Sequence, residues 1–595
     1  MGKIAPLMAS KRNCLRKLPL VLCTGLAALL PLPAQASVTL SVSPAFASVH
    51  TREAQQFKAT VTGSTGAVSW QVNGVAGGDS TVGTITAKGL YTAPAAVPTG
   101  TTVTVTASTA GAEPETMVVA ITKGLPFYVS TTGKDTNPGT LASPWKTIQH
   151  AANEAIAGDT VYVRGGTYHQ SINLPHSGSA GSGSIVFQSY PGELAIVDGT
   201  KVACCGDSIQ GLFNITGNES YLILEGFEIR NYTSNNVSNE PAGIYVAGSG
   251  TYLQFLNNAV HGITETAGPN GNAHGIGLYG TLATPLSNIV LKGNNVYGMV
   301  TGNSETITLD GNVDGFTVTG NAVHDNNNIG IDAAGFYSTG PSGHDQARNG
   351  VISGNTVYGI TSLHNPAYNG YGADGIYCDG CTEVRIERNL VSNCDLNIEA
   401  ASENAGRVSS SVTIDNNVVY GGNVAGISIG GYNSSVGGSQ HITMVNNTLF
   451  GNNTTGNGGD FQIQYHATSN VFENNIVYAG SQGLMVYGLV DSTSNPVTLD
   501  YNLYYTTAAP QWWYQGNEVT SFANYRKATG QEKHSAFENP DFLSAKSPYN
   551  FDLTAVSPAR KAGNYALGSA DYGTLDFAGN PRTTGTTINM GAYQK

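Results

Sequence analysis

Apolar side chains alternate with polar ones along short stretches of the chain, which is the period of a β-strand and not of a helix. Residues 38–42, 57–62 and 103–107 show this most clearly, because every second side chain there is Val, Leu, Phe or Ala. Gly and Pro separate such runs, as they do at the turns between short strands. The pattern predicts a small β-sandwich over residues 37–123.

Beyond residue 124 the pattern turns into a repeat of 27 to 36 residues, in which an Asn precedes a pair of mostly apolar residues. A coil of three short strands joined by turns needs about that much chain, so the repeat predicts a parallel β-helix over residues 124–535. Stacked Asn side chains can bond to one another inside a turn, so we expect a structural amide ladder. The repeating residues are Asn258, Asn294, Asn321, Asn355, Asn389, Asn417, Asn447 and Asn475.

A second marker strand occurs once in each repeat, and its Ile is expected to point into the core. Because side chains alternate along a strand, the residue after this Ile points outward. Two acids and a tyrosine therefore fall on the outer face of consecutive coils, which are about 4.8 Å apart. The outward column read from the sequence is Tyr245, Gly277, Thr308, Asp332, Tyr377, Glu399 and Ser428.

Acidic side chains converge on the middle of this column, in a chain of which only 11% of the residues are charged. Two carboxyl groups about 5 to 10 Å apart can act as the acid and base of a glycoside hydrolysis. Asp332, Glu399 and Asp374 are the leading candidates for that pair. Tyr377 would position a sugar or serve as a base. The acids that would tune the pair or contact substrate are Asp379 and Glu403.

Two long insertions, residues 336–349 and 362–374, interrupt adjacent coils beside the acids and are predicted to wall a groove. The second insertion carries two tyrosines, whose rings suit stacking against sugars. An Arg in the first insertion and a His on an earlier coil complete the candidate contacts, and the His is an alternative base. These candidate substrate contacts are Arg348, Tyr368, Tyr371 and His274.

The start of the repeating region carries motifs that go beyond the repeat. Residues 128–135, 143–149 and 158–168 closely resemble the N-terminal cap and first coil of pectate-lyase-like right-handed β-helices. Family nine polysaccharide lyases and many uncharacterised secreted β-helix proteins share this cap. The resemblance implies an all-β fold with a right-handed, single-stranded parallel β-helix.

Two other segments resemble known modules. Residues 68–94 resemble bacterial immunoglobulin-like repeats, which implies a spacer or adhesion module at residues 37–123. Residues 536–595 resemble the C-terminal closures of secreted β-helix proteins, which implies a cap on the last coil.

Family nine lyases have acids on both sides of a Gly in one coil, which form a calcium site, and a lysine base in the next coil. Residues 328–332 keep only the last of these acids, Asp332, and Tyr377 stands where the lysine would be. The resemblance implies Ca²⁺ as the one cofactor to consider. Asp310, on the same acidic face, is the candidate metal ligand because this ion prefers oxygen atoms.

Three functions are compatible with these features. The first is hydrolysis of an extracellular polysaccharide by paired carboxylates, which we favour because few Lys or Arg side chains are predicted on the acidic face. The second is a calcium-dependent, pectate-lyase-like β-elimination, in which a base removes the proton next to a uronate carboxylate. The third is glycan binding or adhesion without catalysis, since a fold alone does not fix a function.

The N-terminus is predicted to be a secretory signal over residues 1–36, because basic residues precede an apolar run and residues 34–36 are Ala-Gln-Ala. No later apolar run is long enough to insert into a membrane. Removing the signal, which holds five basic and no acidic residues, changes the formal net charge from −13 to −18. So acidic a chain is not expected to bind nucleic acid. We expect a monomer that is secreted, with the periplasm or cell surface as alternatives, and whose partner is a polysaccharide.

Overall fold

The structure, a computed structural model, describes residues 38–594 except 52, 95–96, 123, 457 and 489–495. The predicted signal, residues 1–36, lies outside the described residues. The protein is all-β: a small N-terminal β region is followed by a parallel β-helix whose two shorter sheets have 13 strands each. This confirms the predicted fold class. Within the described part of the chain, no helix has the length and apolar character needed to span a membrane.

The N-terminal β region contains one two-stranded, one four-stranded and one five-stranded sheet around its own core, which includes Phe57, Trp70 and Tyr91. Its designation as immunoglobulin-like and its boundaries stay predictions. Its strands are Thr39–Ser43, Phe46–His50, Ala54–Gln56, Lys58–Thr62, Ser69–Val72, Val75–Ala76, Gly78–Asp79, Gly83–Ile85, Leu90–Thr92, Thr102–Ser108 and Glu115–Thr122.

Three parallel sheets, here called A, B and C, form the faces of the β-helix, and each coil passes through B, then C, then A. The strands of sheet A are Pro126–Val129, Thr160–Val163, Ile185–Ser189, Leu222–Glu225, Gly250–Thr251, Leu253–Leu256, Leu286–Lys292, Val313–Thr319, Arg348–Ser353, Thr382–Glu387, Val408–Ser410, Thr413–Asp415, Gly438–Gln440, Thr443–Val445, Ala467–Thr468, Asn470–Glu473 and Val497–Asp500.

Sheets B and C follow in the same manner, except that the last strand of sheet C is antiparallel to its neighbour. The strands of sheet B are Gly166–Tyr168, Ala195–Asp198, Glu228–Ser234, Ala259–Glu265, Asn295–Tyr297, Ala322–Asn326, Thr356–Ile360, Leu390–Ser392, Val418–Tyr420, Thr448–Phe450, Ile476–Ala479, Leu503–Thr506 and Ala536–Phe537. The strands of sheet C are Ile172–Asn173, Ile209–Gly217, Glu240–Gly248, His274–Gly280, Ile307–Gly311, Ile331–Ala334, Asp374–Asp379, Leu396–Ala401, Ala425–Ile429, Phe461–Ile463, Leu484–Gly488, Gln511–Tyr514 and Asn517–Val519.

The predicted asparagine ladder lies at the corner between sheets A and B and is confirmed. In a representative step, both the backbone N–H and the side-chain Nδ2 of Asn355 donate to Oδ1 of Asn389, each at 2.9 Å. The ladder extends one coil further than the sequence indicated, because Nδ2 of Asn475 donates to Oδ1 of Asn502. Each amide both donates and accepts, so a stack of them satisfies polar groups that are shut away from water.

Helices close both ends of the coil stack. Helix Ile148–Glu154 covers the first coil and begins after Thr147, whose side chain accepts the backbone N–H of His150. Helix Phe522–Thr529 covers the last coil, where Tyr525 stacks on the buried Trp512 with ring centroids 5.4 Å apart. The remaining helical segments are Gly199–Lys201, Tyr565–Leu567 and Ser569–Tyr572.

Residues 541–594, here called the C-terminal strap, run back along the asparagine corner. Asn446 donates to the carbonyl of Asn589 at 2.8 Å, and Asn474 donates to that of Asn564 at 3.2 Å. The strap contains one hairpin, Phe542–Ser544 with Asn550–Leu553. The predicted cap at residues 536–595 therefore lies mainly on the flank of several coils, while residues 512–537 cover the end of the stack.

Asn389→Leu is expected to lower the free energy of unfolding by at least about 2 kcal/mol, because it leaves buried donors of Asn355 and the carbonyl of Ile352 without partners. Guanidinium denaturation followed by circular dichroism measures this. The control is Asn524→Ala on the exposed face of a helix, which should stay within about 0.5 kcal/mol of wild type. Equal midpoints for both variants would show that the ladder contributes nothing.

Candidate active site

Strand register places the predicted column as the sequence indicated. In sheet C, Thr308 pairs with Asp332, Asp332 with Tyr377, and Tyr377 with Glu399. Asp379 lies two residues beyond Tyr377 on the same strand, so its side chain is on the same face. Side chains that are far apart in sequence therefore meet across neighbouring coils.

The acids of this face are more deeply buried than an outward column on a bare sheet would be. Five of them are only 2–7% exposed, whereas Glu403 is open to solvent. The reason is that the two insertions fold over the sheet and cover it. We call the following residues the acid cluster: Asp310, Asp332, Asp374, Asp379, Glu399 and Glu403.

Asp332 lies at the centre of the cluster, where no hydrogen bond from a described residue offsets the cost of burying its carboxyl group. Among the described residues it has no hydrogen-bond partner, and its Oδ1 is buried and unsatisfied. Burial raises its pKa well above the ordinary value, and the charges of Glu305 and Asp379 raise it further. The surroundings of Asp332 therefore favour its protonated form.

Asp379 occupies a different environment, although it is equally buried. The hydroxyl of Tyr337 donates to Oδ2, and the backbone N–H of Glu403 donates to Oδ1 at 2.9 Å. Burial and the charge of Glu403 raise the pKa of Asp379, while these two hydrogen bonds oppose that rise. Of these two neighbouring carboxyls, only Asp379 accepts hydrogen bonds that oppose the rise of its pKa.

Asp374 and Glu399 form a pair next to Asp332. Their carboxyl groups are within hydrogen-bonding reach of one another, so the two acids titrate as a coupled pair. Glu399 also accepts hydrogen bonds from Ser428 at 2.6 Å and from Gln464 at 3.0 Å. Burial raises the pKa of Glu399 to about 7.

Asp310 and Glu305 extend the acidic surface towards the N-terminal coils. Asp310 accepts the hydroxyl of Thr339, and burial raises its pKa to about 6. Glu305 accepts the hydroxyl of Thr308 at 3.0 Å, and burial raises its pKa as well. Sequence reasoning missed Glu305, which stands in the turn before its strand, where the alternation of side chains gives no direction.

Tyrosines from separate loops form the rim of the cluster. Tyr337 belongs to the first insertion and Tyr368 to the second, and their side chains are 45% and 55% exposed. Tyr432, from a loop after sheet C, is 59% exposed and lies close enough to Glu403 for that charge to raise its pKa. The groove that the two insertions would wall stays a prediction. Tyr337 and Tyr432 were missed because no periodicity marks a loop residue. Tyr371 lies on the same loop as Tyr368 and is exposed.

The other candidate contacts lie away from the cluster or beneath it. Tyr377 is buried, and burial raises its pKa well above the ordinary value, so its position favours positioning of the acids over service as a base. His274 contacts Glu240 at 3.3 Å and Tyr279 at 3.1 Å on an earlier coil. Arg348 is at the start of a sheet A strand, where it pairs with Asp314 at 3.1 Å.

None of the ion pairs among the described residues involves a member of the acid cluster. Buried carboxyls without a counter-charge cost free energy, so a protein keeps them mainly where they do chemistry or bind a ligand. The disulfide between Cys378 and Cys381 encloses Asp379 and ties its strand to the following turn.

The acids as placed do not form a ready calcium site. Oxygen atoms of Asp310, Asp332 and Asp374 are buried without partners, and such atoms suit Ca²⁺. Over the described ranges, however, no three His, Cys, Asp or Glu side chains are close enough together to hold a metal ion. We therefore assign no step to a cation, and a calcium requirement stays a prediction.

Comparisons with known proteins were made for the whole chain. The family model described as "Pel9A-like, right handed beta helix region" matches residues 127–495. An uncharacterized protein, YwoF, of Bacillus subtilis (strain 168) is 38% identical over 439 residues, which are 73% of this chain and 92% of YwoF. Pectate lyase PEL9 of Emericella nidulans is 32% identical over 121 residues, 20% of this chain and 29% of PEL9. The crystal structure of pectate lyase Pel9A is similar with a TM-score of 0.43 and 16% identity, covering 79% of this chain and 96% of that one.

Glu399→Gln is expected to make the protein more stable than wild type above pH 7. The folded chain keeps a proton on Glu399 up to about pH 7, whereas the unfolded chain releases it near 4.5, so stability falls as the pH rises between these values. The full effect corresponds to about 3 kcal/mol. Melting temperatures from pH 5 to 8.5 measure it, with the exposed Glu518→Gln variant as the control. A constant difference between Glu399→Gln and wild type across this range would contradict the raised pKa.

Proposed function

The chain belongs to the Pel9A-like right-handed β-helix family, and we propose that it is a carbohydrate-active enzyme that hydrolyses an extracellular polysaccharide. The observation that supports this most is the contrast within the acid cluster. Asp332 is buried without a hydrogen bond, while Asp379 accepts two. Burial raises the pKa of both carboxyls, but only Asp379 accepts hydrogen bonds that oppose this rise, and such a difference between two neighbouring acids suits an acid and a base.

The spacing of the two carboxyls agrees with an inverting reaction. Asp332 and Asp379 are one coil apart and offset by two residues, which separates their Cα atoms by about 8 Å. Inverting glycosidases have carboxyl groups roughly 6.5–9.5 Å apart, which leaves room for a water molecule. In this proposal, Asp332 gives its proton to the glycosidic oxygen as that bond breaks. Asp379 takes a proton from the water that attacks the anomeric carbon.

The neighbouring groups would hold this division of roles in place. Burial and the charges of Glu305 and Asp379 raise the pKa of Asp332 and so favour the protonated acid. The hydroxyl of Tyr337 stabilises the carboxylate of Asp379. Tyr337, Tyr368 and Tyr432 would stack on the sugars that flank the bond.

Export, domain roles and assembly remain part of the proposal. The signal at residues 1–36 would direct the protein out of the cell, where the N-terminal β region would serve as a spacer or adhesion module. We expect a monomer, because one chain supplies the whole acid cluster and its rim.

β-Elimination on an acidic polysaccharide is the second candidate. It is favoured by the family itself and by the segment that is 32% identical to pectate lyase PEL9. Arg407 is exposed above the ring of Phe336 at 5.0 Å and, together with His344, lines a cavity of 390 Å³ beside the first insertion. A cation at that place suits the carboxylate of a uronate.

Wild-type protein is expected to release new reducing ends, without unsaturated products, from at least one of polygalacturonate, rhamnogalacturonan, arabinoxylan and mixed-linkage β-glucan. Asp332→Asn and Asp379→Asn should each lower the rate about 10²–10⁴-fold, the usual contribution of a general acid or base. Reducing-end assays and absorbance of unsaturated sugars, read in parallel with calcium and with chelator, measure this.

The matched control is Asp325→Asn, an exposed carboxyl on the sheet B strand of the same coil as Asp332, which should leave the rate unchanged. Unsaturated products that form only with calcium would show that the protein acts by β-elimination and not by hydrolysis. Full activity of both cluster variants would show that the acids do not perform the reaction. Binding without any product would favour the adhesion function.

A further inference from the structure

Two adjacent tryptophans on the last parallel strand of sheet C, Gln511–Tyr514, point in opposite directions. Trp512 is fully buried and packs on the closing helix. Trp513 therefore lies on the outer face, where it pairs in register with Tyr487, and the two ring centroids are 5.9 Å apart. Trp513 is half-buried, so part of its ring is open to a ligand.

Trp513 belongs to the same outward column as the acid cluster. Strand pairing links Glu399 through Ser428, Gln462 and Tyr487 to Trp513, with one β-bulge between Leu484 and Val486 in the last strand pair. At about 4.8 Å for each coil, Trp513 is about 19 Å from Glu399 along the axis of the β-helix. A linear glycan bound across the acids and extended along the axis would reach it after a few sugar residues.

Two glutamine side chains near the acid cluster, on the side towards Trp513, have amide oxygens that accept no hydrogen bond from the described part of the chain. Gln462 is 8% exposed, and its Oε1 has no partner among the described residues. Gln464 donates to Glu399 and Ser428, but its own Oε1 also lacks a partner. A buried amide oxygen without a donor is costly, and sugar hydroxyl groups are donors of the right kind.

We propose that Gln462, Tyr487 and Trp513 form a distal subsite for the same glycan chain, which rests on the function proposed above. Trp513 stacks on the apolar face of a pyranose ring, Tyr487 borders that ring, and Gln462 accepts a hydroxyl from a sugar nearer the acids. The subsite makes binding depend on the length of the glycan. Polysaccharides therefore bind better than short oligosaccharides that end within the acid cluster.

Tryptophan fluorescence tests this directly, because Trp70, Trp145 and Trp512 are all at most 6% exposed. Acrylamide quenching of the Asp332→Asn variant therefore reports mainly on Trp513. Polygalacturonate, rhamnogalacturonan, arabinoxylan and mixed-linkage β-glucan are the probes. At least one of them is expected to protect the fluorescence, and a short oligosaccharide of the same glycan is expected to protect it less.

Affinity electrophoresis in gels that contain the same polysaccharides gives an independent readout. Trp513→Ala and Gln462→Leu are expected to weaken retardation on the order of tenfold, a change of about 1.4 kcal/mol. Trp513→Phe keeps an aromatic face and should retain most of the binding. Tyr565→Ala, which removes an exposed tyrosine from the C-terminal strap, is the matched control.

Failure of this subsite can be told apart from failure of the proposed function. No protection of Trp513 by any probe, or Trp513→Ala protein that binds polysaccharide as wild type does, overturns the subsite even if Asp332 proves catalytic. Protection of Trp513 by a probe, together with gel retardation that is weakened in Trp513→Ala, in a protein that cleaves none of the probes, supports the subsite and rejects hydrolysis.

Discussion

Parallel stacking in register is the constraint on which the rest of the structure depends. Each side chain of a coil has a counterpart about 4.8 Å above and below it, so a column must consist of groups that tolerate their neighbours. Amides tolerate one another well, because each can donate and accept, and the ladder around Asn389 shows this. Carboxylates do not, because like charges repel at this spacing.

The same geometry explains why the acid cluster is so unlike its surroundings. In its column, Asp332 lies between Thr308 and Tyr377. The neutral side chain of Tyr377 therefore separates it from Glu399, the next acid of that column. Asp374 and Asp379 remain close to Asp332: besides burial, the charge of Asp379 raises the pKa of Asp332, and the charge of Asp332 raises the pKa of Asp374. Sheets A and B stabilise the fold and so offset the unfavourable free energy of the acid cluster on sheet C.

Much of the fold and part of the site could be predicted because both depend on periodicity. The Ile before Asp332 and the Ile before Tyr377 point inward, so the direction of the acids followed from alternation alone. Arg348 was predicted as part of the first insertion, whereas the structure places it at the start of a sheet A strand, where it pairs with Asp314 of the preceding coil. No sequence rule gives such a pairing between surface side chains.

Residues of loops lay beyond this reasoning. Tyr337 and Tyr432 come from insertions whose backbone follows neither period, so only the folded chain brings them over Asp379 and Glu403. Burial of the cluster was missed for the same reason, since an outward position on a strand says nothing about what a neighbouring loop will cover. The Trp512 and Trp513 pair shows the opposite case, in which alternation separates two identical residues into different roles.

The C-terminal strap has a consequence for the order in which the molecule is completed. Asn416, Asn446 and Asn474 bind carbonyls of residues that the ribosome adds more than 80 positions later. Until those residues arrive, one flank of the finished coils stays open to water and to proteases. Translation that stops before the C-terminal strap would therefore yield a stack of coils whose flank at the asparagine corner is uncovered.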